Sequence, residues 1–328
     1  MEVFGLGSAD AAPPGATVHA APRGGHLGRG LRALVWPFRA TGDVILTLDP
    51  DTSLAARIAS LVRRKRWVAD VHEDYEALLR DRSWVPPLLR RTLQAAVAML
   101  NRLISTADLV LVADDHVPPK RAARRFVMRN EPDFNLLPEP WDHAEGAPWR
   151  AVYIGDVRTS RGLRTMVEAV AMTADDPQPW HLDIIGPVSG DDAAWLETRL
   201  GQHACRHIKA HGRQDPTASW EIARGADVGL CLLENTPAFA EAMPSKVYEY
   251  LACGVPTIAT PLPRVAALLR RTGAGEVVDG AAETAEALRR FATDTVAREA
   301  LVAAAREAGE VARSRLNIYD EGAARILS

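Results

Sequence analysis

Two glutamates stand eight positions apart in Glu241-Ala-Met-Pro-Ser-Lys-Val-Tyr-Glu249, around a run with the marks of a helix start. Pro244 has the fixed φ suited to a first helical turn and lacks the amide proton that would go unused there. Gly254 and Pro256 end the helix a few residues later. The amides of Ser245, Lys246 and Val247 then project from the positive end of a helix dipole, an arrangement that receives a phosphate group. Lys246 adds a full positive charge. Glu249, about one turn into the helix, can accept both hydroxyls of a vicinal diol such as ribose. The two carboxylates and the helix start between them are suited to gripping both ends of a nucleotide sugar. The plainer alternative is a pair of surface glutamates beside a well-capped helix.

Two further segments carry chemistry. In Tyr153-Ile-Gly-Asp-Val-Arg-Thr-Ser-Arg161-Gly162, a strand ends at Gly155 and a helix begins after Gly162. Arg161 can hold phosphate oxygens in a fork; its alternative role is that of an exposed arginine at a helix start. In Val68-Ala-Asp-Val-His72-Glu-Asp-Tyr75, a histidine at a strand end can bond a sugar hydroxyl. A lone histidine is more often structural, and Glu73 and Asp74 can simply begin a helix.

The phrase Pro244-Ser-Lys-Val-Tyr-Glu-Tyr-Leu-Ala-Cys-Gly-Val-Pro-Thr-Ile-Ala-Thr260, with its two glutamates, resembles family 4 of the retaining glycosyltransferases, which have the GT-B fold. The likeness is strong from Ala151 to about Val278, fair from Asp43 to Asp133 and weak elsewhere. The resemblance implies that Glu249 binds ribose and that Glu241 contacts the transferred sugar near the reacting carbon. It implies that His72 contacts the donor sugar or helps order the reacting pair, and that Arg161 and Lys246 neutralise the departing diphosphate. These four, His72, Glu241, Arg161 and Lys246, are the expected catalytic set. Donor contacts are expected from Gly155, Arg158, Arg161, Gly186, Gly212, Ser245, Lys246, Val247 and Glu249. The loops Ile185-Gly186-Pro187 and His211-Gly212-Arg213 would lie around the base, mostly through backbone atoms. Where the family commonly has arginine directly after the first glycine, this chain has Asp156, and Arg158 is the expected substitute. No cofactor and no metal are expected: Asp49-Pro-Asp51 has metal-binding spacing but starts a helix in the first half. The partners expected are a nucleotide-sugar donor and a sugar or lipid-linked acceptor, with no nucleic acid.

The elements that must position these groups are short β-branched runs alternating with amphipathic helical stretches, the pattern of parallel sheets with crossover helices. In the first half, strands are expected near Glu2–Gly5, Thr17–Ala20, Asp43–Leu48, Trp67–Val71, Leu109–Ala113 and Phe126–Met128. Helices are expected near Leu27–Arg39, Ser53–Arg64, Pro87–Ser105 and Pro118–Arg125. Arg129–Trp149, with four prolines and no periodicity, reads as a linker. In the second half, strands are expected near Ala151–Ile154, His181–Ile185, His207–Lys209, Asp227–Cys231 and Thr257–Ala259. Helices are expected near Gly162–Thr173, Ala193–Gln202, Trp220–Arg224, Ser245–Ala252 and Val265–Arg271, then a helical end over Glu283–Arg313 and Tyr319–Leu327. The fold class is therefore α/β: GT-B, two Rossmann-like doubly wound domains facing across a cleft. The first spans 1–140 and the second 150–328, terminal helices included.

Composition agrees with such an enzyme and narrows its setting. The 328 residues are 47% hydrophobic and 25% charged, ordinary for a globular chain of two domains. No apolar run has the length of a membrane span, and the start lacks a signal-peptide pattern. Three widely spaced cysteines, Cys205, Cys231 and Cys253, read as small buried residues and fit a reducing cytoplasm. Residues 1–150 hold 20 basic against 18 acidic side chains, the remainder 19 against 24. Basic clusters at Arg63-Arg-Lys-Arg66, Arg90-Arg91 and Lys120–Arg125 are a solvated helix surface or a peripheral contact with an anionic membrane. The opening Met-Glu-Val-Phe-Gly-Leu-Gly resembles the second strand of the family's first domain, so the first βα unit is expected to be absent. That expectation keeps a non-catalytic or remnant nucleotide-sugar-binding subunit as the alternative function. A UDP-sugar 2-epimerase shares the fold, but its set of catalytic carboxylates and histidines is not evident.

Overall fold

The computed structural model describes residues 1–7, 15–22, 25–48, 50–76, 79, 87–129, 131–188, 190–236, 239–314 and 317–328. The chain divides into two compact units, Met1–Asn130 with Leu316–Ser328, and Glu131–Arg315.

The first unit contains β1 (Glu2–Leu6), β2 (Thr17–Ala21), α1 (His26–Arg39), β3 (Val44–Thr47), α2 (Ser53–Arg63), β4 (Arg66–Val71), α3 (Pro87–Ile104), β5 (Leu109–Val112) and β6 (Arg125–Val127). All pairings are parallel, in two pieces: β1-β2, and β3-β4-β5-β6. Strands β4 and β5 are buried nearly throughout, as expected of parallel strands covered on both faces. Leu31, Leu34, Val35 and Phe38 of α1 and Leu54, Ile58, Leu61 and Val62 of α2 repeat at helical spacing and are exposed. Leu46 and Leu48 beside them are exposed as well.

The stretch Pro118–Arg125 is not a helix. Two successive prolines open it, and the Arg125 guanidinium donates to the carbonyls of Asp114, Asp115, Val117 and Pro119 at 3.0–3.2 Å. Those bonds fix an irregular loop and leave no carbonyl ladder for a helix. Asp49 lies outside the described residues, and Asp51 pairs with Arg29 at 3.5 Å.

The second unit is a six-stranded parallel sheet in the order β12-β11-β10-β7-β8-β9. Its strands are β7 (Arg150–Ile154), β8 (His181–Ile185), β9 (Ile208–Gly212), β10 (Val228–Cys231), β11 (Thr257–Ala259) and β12 (Gly275–Val277). The helices are α4 (Leu163–Ala171), α5 (Asp191–Leu200), α6 (Pro216–Ala223), α7 (Ser245–Ala252), α8 (Pro263–Thr272), α9 (Gly280–Thr293) and α10 (Thr295–Arg313). Alternate residues of each strand serve opposite faces. Tyr153, Ile184 and Leu230 pack with Leu163, Met166 and Phe291 on one side, while Val152 and Ile185 pack with Trp220 and Tyr250 on the other. The expected helical end over Glu283–Arg313 is divided into α9 and α10, because Asp294 leaves helical geometry and caps α10 through Ala297 N at 3.0 Å. Among the described residues, no helix is long and apolar enough to cross a membrane.

The last helix, α11 (Ile318–Leu327), belongs to the first unit, which corrects its expected place in the domain 150–328. Ile326 packs with Val68, Leu109, Phe126 and Met128, and its carbonyl accepts from Arg66 Nη1 at 3.0 Å. Gly322 lets Met128 approach so closely that a Cβ there would meet its Sδ at 2.7 Å. The burial of these apolar groups, rather than chain order, decides where the helix docks.

Candidate functional site

In the second unit the strand order reverses direction of growth between β7 and β10, its topological switch point. Open α/β sheets bind ligands at the carboxyl ends of the strands there. The loop 155–162 leaves β7 at this point, and the chain after β10 leads into α7.

Glycines allow these loops to close on one another. Gly155, Gly186 and Gly212 stand at the ends of β7, β8 and β9 in one hydrogen-bonded row, with Gly155 N bonding Ile185 O and Gly186 N bonding Gly212 O, both at 2.9 Å. A Cβ on Gly186 would lie 1.7 Å from the Gly155 carbonyl oxygen, so only glycine permits that approach. Gly162 has φ +89°, and a Cβ there would lie 2.3 Å from Leu232 O. The two loops are joined again where Glu234 N donates to Ser160 O at 3.0 Å. Asp192 pins the first loop from α5 by accepting from both the amide and the hydroxyl of Thr159.

Helix α7 starts after Pro244 with no side chain capping its first turn. The Val247 amide already donates to Pro244 O at 3.1 Å, while the amides of Ser245 and Lys246 have no partner among the described residues and remain available to an anion. Lys246 is 92% buried, being 8% exposed, and its Nζ has no hydrogen-bond partner among the described residues. The ammonium sits 3.5 Å from the centroid of the Tyr153 ring, and 3.1 Å from where a Cβ of Gly155 would stand. Burial pushes its pKa from 10.5 down to about 8, opposed by the nearby Cys231 and Glu249. Burial likewise raises the Glu249 carboxyl, while the Ser245 hydroxyl and Lys246 pull it back. A cation and a carboxylate, both short of solvent one turn apart, make a site prepared for a ligand with complementary groups.

The arginines lie on the rim. Arg158 Nε is 2.7 Å and Arg161 Nε 3.9 Å from the same Asp156 oxygen. The Asp156 carbonyl accepts from the Tyr153 hydroxyl at 2.8 Å, which ties this loop to the ring beneath Lys246. Glu241 is exposed in a turn before α7, its carbonyl held by Arg264 Nη1 at 3.0 Å.

Of the residues expected from sequence, Gly155, Arg158, Arg161, Gly186, Gly212, Ser245, Lys246, Val247 and Glu249 thus lie on the carboxyl-end loops of this sheet and the start of α7. Val247 is fully buried, faces the core beside Leu251 and Val265, and spends its amide on Pro244 O at 3.1 Å, so neither its side chain nor its N–H is placed for the expected donor contact. His72 belongs to the first unit, at the end of β4, with Nε2 3.1 Å from Asp70 Oδ2. Asp74 accepts from Glu76 N at 2.9 Å and caps the following turn, the plainer of its two readings. Tyr153 and the joint hold of Asp156 on two arginines were not foreseen. An aromatic two residues before the glycine is the only sequence sign of the first, and a carboxylate two and five positions before arginines the sign of the second.

A cavity of about 320 Å³ lies at the opposite, amino end of the sheet, lined by Trp141, His143, Trp149, Asp227, Phe291 and Arg306 among others. Asp227 there already accepts from Arg150 N and pairs with His143 Nδ1, each at 2.8 Å. It is remote from the switch-point loops, and a ready-made acceptor already satisfied offers a donor little.

Solved structures share this architecture. Anabaena HepE in complex with UDP and glucose is 17% identical, with 95% of this chain and 85% of that chain covered at a TM-score of 0.65. Sucrose-phosphate synthase from Thermosynechococcus elongatus is 17% identical, with 89% and 75% covered and a TM-score of 0.62. A glycosyltransferase from Rickettsia africae is 9% identical, with 95% and 84% covered and a TM-score of 0.64. No curated protein sequence matches the chain. The parallel sheets with crossover helices and these likenesses establish the GT-B fold. The family model for glycosyl transferases group 1 matches residues 139–308, more than half of the chain, and the protein belongs to that family.

Proposed function

We propose that the protein is a retaining glycosyltransferase that moves a sugar from a nucleoside diphosphate sugar to an acceptor hydroxyl in glycan or glycoconjugate assembly. The observation that carries the donor assignment is the buried, unpartnered ammonium of Lys246 beside Gly155. A diphosphate lying between the Gly155 loop and the start of α7 supplies the anion that this ammonium and the free helix amides lack. Glu249 then receives the ribose hydroxyls, and the backbone around Gly186 and Gly212 borders the base. Anabaena HepE, of the same fold, has been solved with UDP and with UDP-glucose, which makes uridine nucleotides the first donors to test.

Transfer breaks the bond between the anomeric carbon and the diphosphate oxygen, and negative charge grows on that oxygen. Lys246, Arg161 and the dipole of α7 stabilise it as it forms. Glu241 is assigned to the transferred sugar and His72 to one of its hydroxyls. Attack from the face that the diphosphate leaves, with a phosphate oxygen taking the acceptor's proton, preserves the configuration. No metal enters this scheme. The acceptor is a sugar or a lipid-linked sugar.

The test is calorimetric titration of UDP and of GDP into the wild-type protein and Glu249→Ala. Loss of a charged contact costs about 1.5–3 kcal/mol, so the affinity of whichever nucleotide binds should fall roughly 10- to 100-fold. Unchanged affinity removes Glu249 from the site. A donor panel read by mass spectrometry separates a transferase from a subunit that only binds donor: the latter yields no transferred sugar.

A further inference from the structure

We infer that Asp156 is the resident counter-ion of the phosphate-binding arginines, displaced by the donor and returning to drive out the spent nucleotide. The inference rests on the donor site proposed above. Its carboxylate holds Arg158 at 2.7 Å and stands 3.9 Å from Arg161, on the same oxygen. Both arginines are rim groups, 61% and 39% exposed, so a phosphate can reach them by taking the place of that oxygen. Lys246, buried without a partner, is not available to Asp156 in this way and remains the fixed charge of the site. Asp156 is itself anchored through its carbonyl to the Tyr153 hydroxyl, so its carboxylate stays near the arginines after it has been displaced.

The charge count gives this carboxylate a purpose. Lys246, Arg158 and Arg161 supply positive charge to the phosphate site, Asp156 sets a negative charge among them, and Glu249 beside Lys246 and Asp192 beside Arg158 add two more. An intact nucleoside diphosphate sugar carries about two negative charges on its phosphates, and the free diphosphate about three near neutral pH. The product thus brings one negative charge more than the donor to a loop that already holds the Asp156 carboxylate. Repulsion between the Asp156 carboxylate and the product is stronger than that with the donor, and release of nucleotide is favoured.

The experiment compares UDP with UDP-glucose, and GDP with GDP-mannose, for wild type, Asp156→Asn and Asp156→Glu, by titration at low and high salt. Asp156→Asn should tighten binding of the free diphosphate about tenfold and of its sugar conjugate about threefold or less. The gap should close at high salt. Asp156→Glu should keep the wild-type ratio, and thermal melts report that each variant is folded. Product inhibition by the diphosphate should deepen in Asp156→Asn as well. Equal or weaker binding of both ligands by Asp156→Asn, with Glu249→Ala still weakening nucleotide binding roughly 10- to 100-fold, overturns the counter-ion role and leaves the donor site standing. Binding that needs Mg²⁺ in wild type and loses that need in Asp156→Asn also overturns it, since the carboxylate would then be a metal ligand. Failure of wild type to bind either nucleotide pair overturns the donor site and this inference together.

Discussion

Replacing Lys246 by methionine should stabilise the protein while removing its affinity for nucleotide. The ammonium is buried with no hydrogen-bond partner among the described residues, and its pKa falls from 10.5 to about 8. At 1.36 kcal/mol per unit, a charged Lys246 costs the folded state about 3 kcal/mol at neutral pH. The Tyr153 ring 3.5 Å away returns about 1–2 kcal/mol of cation–π attraction, which methionine loses in part. Methionine has a similar shape and no charge to desolvate, so a net gain of about 1–2 kcal/mol is expected, a rise of a few degrees in the unfolding temperature. Calorimetric melts without ligand at pH 7 read this gain, and titration of UDP reads the loss of binding, at least tenfold. The pH dependence has a definite sign. Below pH 8 both folded and unfolded wild type hold the lysine proton, and the variant keeps its full advantage. Between about pH 8 and 10.5 the folded state has released that proton and the unfolded state still binds it, so wild type gains and the gap closes. A variant that melts below wild type at pH 7, or that retains wild-type affinity for UDP, refutes the reading of Lys246 as a strained phosphate ligand.

Arg161→Ala should lower turnover on the order of 10- to 100-fold with a smaller change in donor affinity, because its charge is needed most as the phosphate leaves; a rise in KM at constant kcat in steady-state assays would mark uniform phosphate binding instead. Gly186→Ala should destabilise the second unit by about 3 kcal/mol, since its Cβ would fall 1.7 Å from Gly155 O at a φ of +151°. It should also abolish nucleotide binding by pushing the Gly155 loop, and a melt within a degree of wild type would contradict that packing.

The elements legible in the sequence were those whose burial is imposed by local pattern. Continuous apolar runs such as Val228–Cys231 could scarcely be other than covered parallel strands, and Pro244 with Gly254 bracketed α7 to its observed limits. Where contacts distant in sequence decide, the reading failed. Arg125 turns 118–125 into a loop by gathering carbonyls, an effect that no helical propensity records. Strand β12 has three half-buried residues, Gly275, Glu276 and Val277, and exists through its pairing with β11. Helix α11 follows the second unit in sequence yet docks on the first through Ile326.

The proposed donor site was legible in the same uneven way. Glu249, Lys246 and the three strand-end glycines stood out because helix starts and tight loops demand particular residues. Their electrostatic state did not, because it arises from burial. Lys246 lies over Tyr153, 93 positions earlier in the chain, and only the adjacency of β7 and β10 brings the two together. Asp156 looked like a departure from a basic pattern; the arrangement of Arg158 and Arg161 about its carboxylate gives it a place within the proposed phosphate site.

A crystal structure of the protein grown with UDP, or with GDP if that is the nucleotide bound in solution, puts the donor site to the test. The diphosphate should lie within hydrogen-bond distance of Lys246 Nζ and the first amides of α7, with the ribose hydroxyls on Glu249. Nucleotide density in the cavity beside Trp141 and Trp149 instead, with the Lys246 ammonium still unpartnered, would contradict the assignment.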